Sequence, residues 1–255
     1  MKEVTQRRSR LSMVKCVLRL IRPTVPCVLV SGTAMTDIAG NDNSNAAPTV
    51  CIVDDDATVR KSLAWLIRST DLPVADFASV SEYLEEVPPD QPGCVLTDVR
   101  LPHMSGMDLL ERVRSRPCPV PVILLTGHAD VPLAVRAMRL GAFDVIEKPY
   151  NDQVLFERVQ PALQLDRSNR TRWAERNGAR ARIDLLSVRE REVFLLMLGG
   201  LANKEIAGRL GLSIKTVESH RSRVCQKLAC DHLAGLVRLA TVAGIDLEPS
   251  AVPSG

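Results

Sequence analysis

The sequence predicts two folded units in one chain: an α/β domain with a five-stranded parallel sheet, then a small all-α domain built on a helix-turn-helix. Three observations carry this prediction. Apolar runs alternate with helical patterns from Thr49 to about Leu165, as a parallel sheet covered on both faces requires. Several of those runs end on groups that suit one shared ligand: Asp54 and Asp55, Asp98, Thr126 and Lys148. Residues 184–246 then hold short helical patterns with cap residues and a glycine-containing break. A length of 255 residues is enough for two modest cores.

Strands are read at 49–53, 73–77, 93–97, 121–125 and 143–147. Between the first two, Val59, Leu63, Leu66 and Ile67 recur at helical spacing, and Asp56 is placed to cap that helix. Leu109, Leu110 and Val113 mark a helix after the third strand. Leu133, Ala137 and Leu140 mark another after the fourth, closed by Gly141 as a left-handed cap. A last helix follows Pro149. In the rear domain Ser187-Val188-Arg189-Glu190 reads as a capping box, ahead of an apolar face of Val193, Leu196 and Met197. Asn203 is expected to cap a second helix, Lys204 to Leu210. Ser213 caps a third that runs to about Leu228, with Gly211-Leu212-Ser213 as the break between them.

The flanks read differently. Residues 1–48 are taken as a disordered or non-native leader, with Met35 as an alternative start. Their apolar stretch, Val25 to Val30, is too short and too broken for a secretory signal. Residues 166–183 are expected to be an Arg-rich linker, helical at its start, and residues 247–255 a tail. A phosphate-contacting arm is the rival reading of those arginines. Lys and Arg exceed Asp and Glu by 4 in residues 1–48, fall short by 6 in 49–165 and exceed them by 5 in 166–255. Nucleic acid is therefore a fitting partner for the rear domain only. Seven scattered cysteines without a Cys-x-x-Cys pair point to a reducing compartment, here the cytoplasm, and exclude a disulfide framework. No apolar run approaches the length of a membrane span, so no membrane partner is expected.

In an open parallel sheet, ligands bind beyond the carboxyl ends of the strands. Asp98 is the candidate nucleophile there, because a carboxylate can accept a phosphoryl group as an acyl phosphate. A dianionic donor approaches such an acidic cluster only if cations neutralise it. Mg2+ on Asp55 and Asp98, supported by Asp54, would do so on one side. Lys148 would do so on the other, with Thr126 offering a hydroxyl. A cis Lys148-Pro149 bond would aim the amine inward.

The order and spacing resemble the receiver domain of two-component response regulators. The matching segments are Ile52-Val53-Asp54-Asp55-Asp56, Thr97-Asp98-Val99-Arg100-Leu101-Pro102 with Met104-Ser105-Gly106, Leu125-Thr126-Gly127-His128, and Glu147-Lys148-Pro149. The resemblance covers 49–165 and implies a flavodoxin-like fold. It also implies Asp98 as phosphoacceptor, Asp54 and Asp55 as metal acids, the Arg100 carbonyl as a further metal ligand, and Thr126 and Lys148 as the response pair. Thr126 to Pro132 looks like the FixJ subgroup. One position departs: Val145 stands where the family commonly has an aromatic switch residue, and Phe143 is expected on the same strand face, farther from the site. A rival exists in another class. Asp54-x-Asp56-x-Thr58-Val59 matches the nucleophile motif of haloacid-dehalogenase-type phosphatases, which would make Asp54 and Asp56 the chemical pair.

On a helical projection of the third rear helix, Ile214, Val217, Val224 and Leu228 face inward. Lys215, Glu218, Ser219, Ser222, Arg223 and Gln226 face outward, as a major-groove helix requires. Residues 184–246 resemble the LuxR/NarL-type helix-turn-helix through Leu186-Ser187, Arg189 to Val193, Asn203 to Ala207, Leu212-Ser213, Thr216-Val217 and His220. The resemblance implies base reading by Glu218, Ser219 and Ser222. It implies further DNA contacts from Lys204, Lys215, Thr216, His220, Arg221, Arg223 and Lys227, although the stem of Arg221 can instead pack on the apolar face. The expected whole is no enzyme beyond its own phosphorylation and dephosphorylation, but a transcription factor. Its expected partners are a sensor histidine kinase, double-stranded promoter DNA, RNA polymerase and, on phosphorylation, a second copy of itself. A receiver acting unphosphorylated through protein contacts is the remaining alternative.

Overall fold

The computed structural model describes residues 47–127 and 131–245. The leader expectation (but for its last two residues), the tail and His128 lie outside the described residues.

Five parallel strands, β1 (Thr49–Val53), β2 (Val74–Phe77), β3 (Gly93–Asp98), β4 (Val122–Thr126) and β5 (Asp144–Glu147), form one sheet in the order β2-β1-β3-β4-β5. This is the flavodoxin-like arrangement, whose switch point lies between β1 and β3. The helices α1 (Ala57–Arg68), α2 (Val80–Glu86), α3 (Gly106–Arg114) and α4 (Val131–Arg139) follow the first four strands. Leu63, Ala64 and Ile67 of α1 bury against Val50, Ile52, Leu96 and Ile123 on one face. On the other face Tyr83 of α2, Leu109, Leu110 and Val113 of α3 and Ala137 of α4 cover Val53, Val95 and Leu124. Each fully buried aliphatic side chain stabilises the fold by roughly 1.5–3 kcal/mol.

Sequence reasoning supplied no helix between β2 and β3. It forms because Ser79 accepts the Glu82 amide at 3.2 Å while the Glu82 carboxylate takes the Ala78 amide. The cap signature is plain, but a single apolar turn gives little periodicity to read. Gly93 opens β3 where no side chain fits: a Cβ there would lie 1.8 Å from the Thr49 carbonyl oxygen.

The next helix, α5 (Asp152–Asp184), runs for 33 residues without a break and carries Pro161 inside it. Proline lacks the amide that would serve the Glu157 carbonyl, and both residues are exposed, so water can replace it. Leu155, Val159 and Ala162 pack under the sheet. Ala179 and Ile183 belong to the rear core. Residues 171–176 between them are exposed on every side. The stretch 166–183, expected to be helical only at its start, is therefore helical throughout. Its arginines act as braces. Arg170 bonds the buried Asp166 at 2.8 Å and the carbonyls of Asp90 and Gln91 at 2.6 Å each. Arg180 donates to the Ala243 carbonyl at 2.9 Å and Arg182 to the Leu228 carbonyl at 3.4 Å.

Four helices complete the rear domain: α6 (Val188–Leu198), α7 (Asn203–Leu210), α8 (Ile214–Leu228) and α9 (Leu233–Ala243). The Ser187–Glu190 capping box is present. Asn203 is not a cap: it is the first helical residue, and Ala202 precedes it with its amide satisfied by the Glu205 carboxylate at 2.8 Å. Gly211 closes α7 at φ 67°, and Ser213 caps α8. Val217, Val224 and Leu228 are fully buried, but Ile214, expected inside, is 47% exposed. As the first residue of α8 it lies ahead of the core that the later turns reach.

Candidate functional site

Strand register builds the front site one residue at a time. Val53 pairs with Thr97, so Asp54 and Asp98 emerge side by side. Asp98 pairs with Leu125 and Thr126 with Glu147, which sets Thr126 and then Lys148 just beyond. The Lys148 amide closes this edge on the Thr126 carbonyl at 2.7 Å, and the Lys148-Pro149 bond is cis. The Lys148 ammonium lies 2.8 Å from Asp98 Oδ2 and 3.0 Å from Asp54 Oδ2, bridging the two carboxylates. Burial alone would lower the pKa of this amine, but hydrogen bonds to Asp98 and Asp54 outweigh it and hold the pKa above the ordinary lysine value. Asp54 is buried, its other oxygen accepting the Asp56 amide at 2.9 Å. Asp98 Oδ1 accepts the Arg100 amide at 3.1 Å, which fixes the loop that carries the Arg100 carbonyl. Thr126 is buried at the end of β4. Gly106 lets α3 close on the nucleophile strand, since a Cβ there would lie 2.2 Å from the Asp98 carbonyl oxygen.

Carboxylate oxygens of Asp54, Asp55 and Asp98 come within 4.8 Å of one another. Three carboxylates face one ammonium, an imbalance that a hard divalent cation with oxygen ligands would neutralise. The donor set thus fits Mg2+. Two residues of the site carried no motif signal. Arg60 donates to the carbonyls of Asp54 at 2.7 Å and Asp55 at 3.1 Å, pinning the acidic loop. Tyr150 stands close enough to feel Lys148, Asp54 and Asp98, with its hydroxyl pKa raised by burial first and by the two acids as well. Arginine at the first turn of α1 would have been the only clue to the former.

In the rear domain α8 presents Lys215, Glu218, Ser219, Ser222, Arg223 and Gln226 to solvent, as its projection predicts. Lys204 is exposed at the start of α7, while Thr216, His220 and Arg221 are half-buried. Thr216 is partly engaged with Ser213, their hydroxyls 2.8 Å apart. His220 Nδ1 is buried without a hydrogen bond. Lys227 differs from the rest of its set. Its ammonium lies 2.7 Å from the buried Glu190 and 3.1 Å from the Leu185 carbonyl, so it braces α8 to α6 instead of standing free for a phosphate.

Residues 50–160 match the response regulator receiver domain, and residues 184–240 match the bacterial regulatory proteins of the luxR family. The transcriptional regulatory protein FixJ of Azorhizobium caulinodans is 42% identical over 205 residues, covering 80% of this chain and 97% of that relative. The chain belongs to the FixJ-type response regulators. The C4-dicarboxylate transport transcriptional regulatory protein DctR of Rhodobacter capsulatus is 44% identical over 193 residues, or 75% of this chain and 98% of that one. Among solved structures the response regulator StyR shares 39% identity at a TM-score of 0.69, covering 77% of this chain and 99% of its own. The regulator joins a receiver to a luxR-type DNA-binding domain and acts in transcription rather than as an enzyme of metabolism.

The phosphatase alternative falls with this assignment, and the geometry agrees. Asp56 Oδ1 accepts the Thr58 amide at 2.7 Å and the Val59 amide at 3.4 Å, so its carboxylate caps α1. Those backbone bonds hold its pKa below the ordinary carboxylate value. One expectation about the switch position is corrected. Val145 packs among the residues facing α3 and α4, whereas Phe143 lies ahead of β5 and joins the core on the opposite face. The chain has not yet entered the strand at Phe143, so the two-residue alternation of a strand does not relate it to Val145. No helix among the described residues is long and apolar enough to cross a membrane.

Proposed function

We propose that Asp98 is the phosphoacceptor of a phosphorelay, and that its phosphorylation by a sensor histidine kinase turns the rear domain into a tight DNA binder. The observation that carries this is the Lys148 ammonium, held between Asp54 and Asp98 at the β1/β3 switch point. An Asp98 oxygen attacks phosphorus, the bond to the kinase imidazole breaks, and an acyl phosphate forms. Asp54, Asp55, Asp98 and the Arg100 carbonyl would hold Mg2+, whose charge supplies neutralisation of the incoming phosphoryl group. Lys148 exchanges its contact with the Asp98 carboxylate for a phosphoryl oxygen, and Thr126 donates its hydroxyl to another. The receiver performs no chemistry beyond its own phosphorylation and dephosphorylation.

The organisation proposed is a receiver at 49–165, a connecting segment at 166–183 and a DNA-binding domain at 184–246, working in the cytoplasm. Phosphorylation produces a homodimer whose two copies of α8 enter successive major grooves of promoter DNA beside RNA polymerase. Glu218, Ser219 and Ser222 read bases, while Lys204, Lys215, Thr216, His220, Arg221 and Arg223 contact the backbone. The test is labelling with a small phosphodonor and Mg2+. We expect an acid-labile label that Asp98→Asn removes and Asp55→Asn makes less dependent on Mg2+. Label retained in Asp98→Asn overturns the assignment.

A further inference from the structure

We propose that Cys225 and Cys230, at the C-terminal end of the DNA-facing helix α8, form a dithiol that a hydroperoxide closes to a disulfide. This modification site is independent of the phosphoacceptor. Helix α8 ends with Ala229 in the left-handed conformation at φ 50°. The Ala229 amide then donates to the Gln226 carbonyl at 3.3 Å and the Cys230 amide to the Cys225 carbonyl at 3.1 Å. This crossed pair of bonds is a Schellman closure, in which the side chains at the two outer positions, here Cys225 and Cys230, frequently pack on each other. Both side chains are half-buried and pack on the same rear core. The Cys225 thiol is close enough to Cys230 to feel its charge. Its pKa is raised chiefly by burial and lowered by Arg221.

The other described cysteines, Cys51, Cys94 and Cys118, are buried, and burial pushes the Cys51 thiol up to about 11. A proton acceptor also stands near Cys230. A methyl group on Gly235 would lie 3.5 Å from Cys230 Sγ and 3.6 Å from His232 Nε2, so sulfur and imidazole flank one spot.

The chemistry balances with the peroxide as oxidant. His232 takes the Cys230 proton, and the thiolate attacks the peroxide oxygen. The O–O bond breaks, leaving a sulfenic acid on Cys230 and, with hydrogen peroxide, one water. The Cys225 sulfur then attacks Cys230 Sγ, the S–O bond breaks, a second water leaves and the S–S bond forms. Two thiols are oxidised, one peroxide is reduced, and a dithiol reductant reverses the reaction. Closure pins the last turn of α8, the turn after Arg221 and Ser222.

The test uses the full chain treated with hydrogen peroxide, denatured, alkylated and mapped by mass spectrometry. We expect a Cys225–Cys230 crosslink with the loss of two hydrogens and of both alkylation sites, restored by dithiothreitol and absent in Cys225→Ser. In Cys225→Ser, a 1,3-dicarbonyl probe should capture the Cys230 sulfenic acid. Cys230→Ala should likewise show no crosslink and leave Cys225 alkylated. Both thiols remaining alkylated after peroxide, or Cys230 passing to sulfinic acid while Cys225 stays free, overturns the proposal.

Discussion

Lys148 and Lys227 show how much one ammonium can be asked to do. Lys148 is shared between two acids of which Asp54 is only 1% exposed, so removing it leaves a buried carboxylate beside another. Lys148→Ala should still accept label at Asp98 but fail to dimerise on phosphorylation, read by sedimentation with and without phosphodonor. Lys227 makes the opposite commitment. Its hydrogen bond, and next the Ser187 amide, hold the Glu190 carboxylate at about 2, against an ordinary 4.5. A lowered folded value stabilises the protein above the ordinary value. That contribution is lost as pH falls from about 4.5 through about 2. Lys227→Met should cost the rear domain about 1–2 kcal/mol at neutral pH, the exposed side of the pair being screened, and should flatten the fall of melting temperature as pH drops from about 4.5 through about 2, because the folded carboxylate is then no longer held low. Asp54, Asp55, Asp98, Thr126 and Lys148 were legible because each ends an apolar run. Lys227 was not, because Glu190 is 37 residues away and a helical wheel cannot show a partner on another helix.

Helix α5 is the element that sequence reasoning understated. Amphipathic periodicity reveals a helix only where one face is buried, and residues 171–176 have none. What fixes α5 to the receiver is a small clasp at the start of β3. Asp166 Oδ2 accepts the Gly93 amide and Arg170 Nε at 2.8 Å each, while its Oδ1 has no hydrogen bond. The Asp166 side chain is 2% exposed, so a partner removed is not replaced by water. Arg170→Leu should therefore destabilise the receiver end of α5 by about 3–5 kcal/mol. Amide exchange of residues 163–172 should rise in this variant, while the helices of the rear domain keep their protection. Equal exchange in the variant and the parent would remove Asp166 and Arg170 from any role in anchoring the helix. The arginines of this stretch read from sequence as either linker or phosphate arm. Arg170, Arg180 and Arg182 prove to be spent on carbonyls and a buried acid, which only tertiary contact could disclose.

At the scale of the molecule, the acidic and basic halves work by different physics. The receiver gathers negative charge at one sheet edge, where a cation can settle it. The rear domain offers a few exposed cations, so one copy should hold DNA weakly and salt should weaken it further. In the proposed dimer the second contact becomes effectively intramolecular. A salt-series titration should show higher affinity and a steeper slope for the phosphorylated form. Lys215→Ala should lower that slope by about 1 for every sequence, and Ser222→Ala should change the preferred sequence at about 1–3 kcal/mol. The two-domain order was legible because apolar period and cap residues change abruptly near residue 184. How the halves are joined was not, and that junction has a geometrical consequence. A helix of 33 residues is a rod of about 50 Å with an angular index, since each residue turns it by about 100°. One residue inserted in the bare stretch after Trp173 would rotate α8 by about that angle relative to the sheet, whereas seven would return it to within about 20°. Cooperative binding to a two-part operator should then rise and fall with insertion length at the period of the α-helix, as the gears of a clock mesh only at whole teeth.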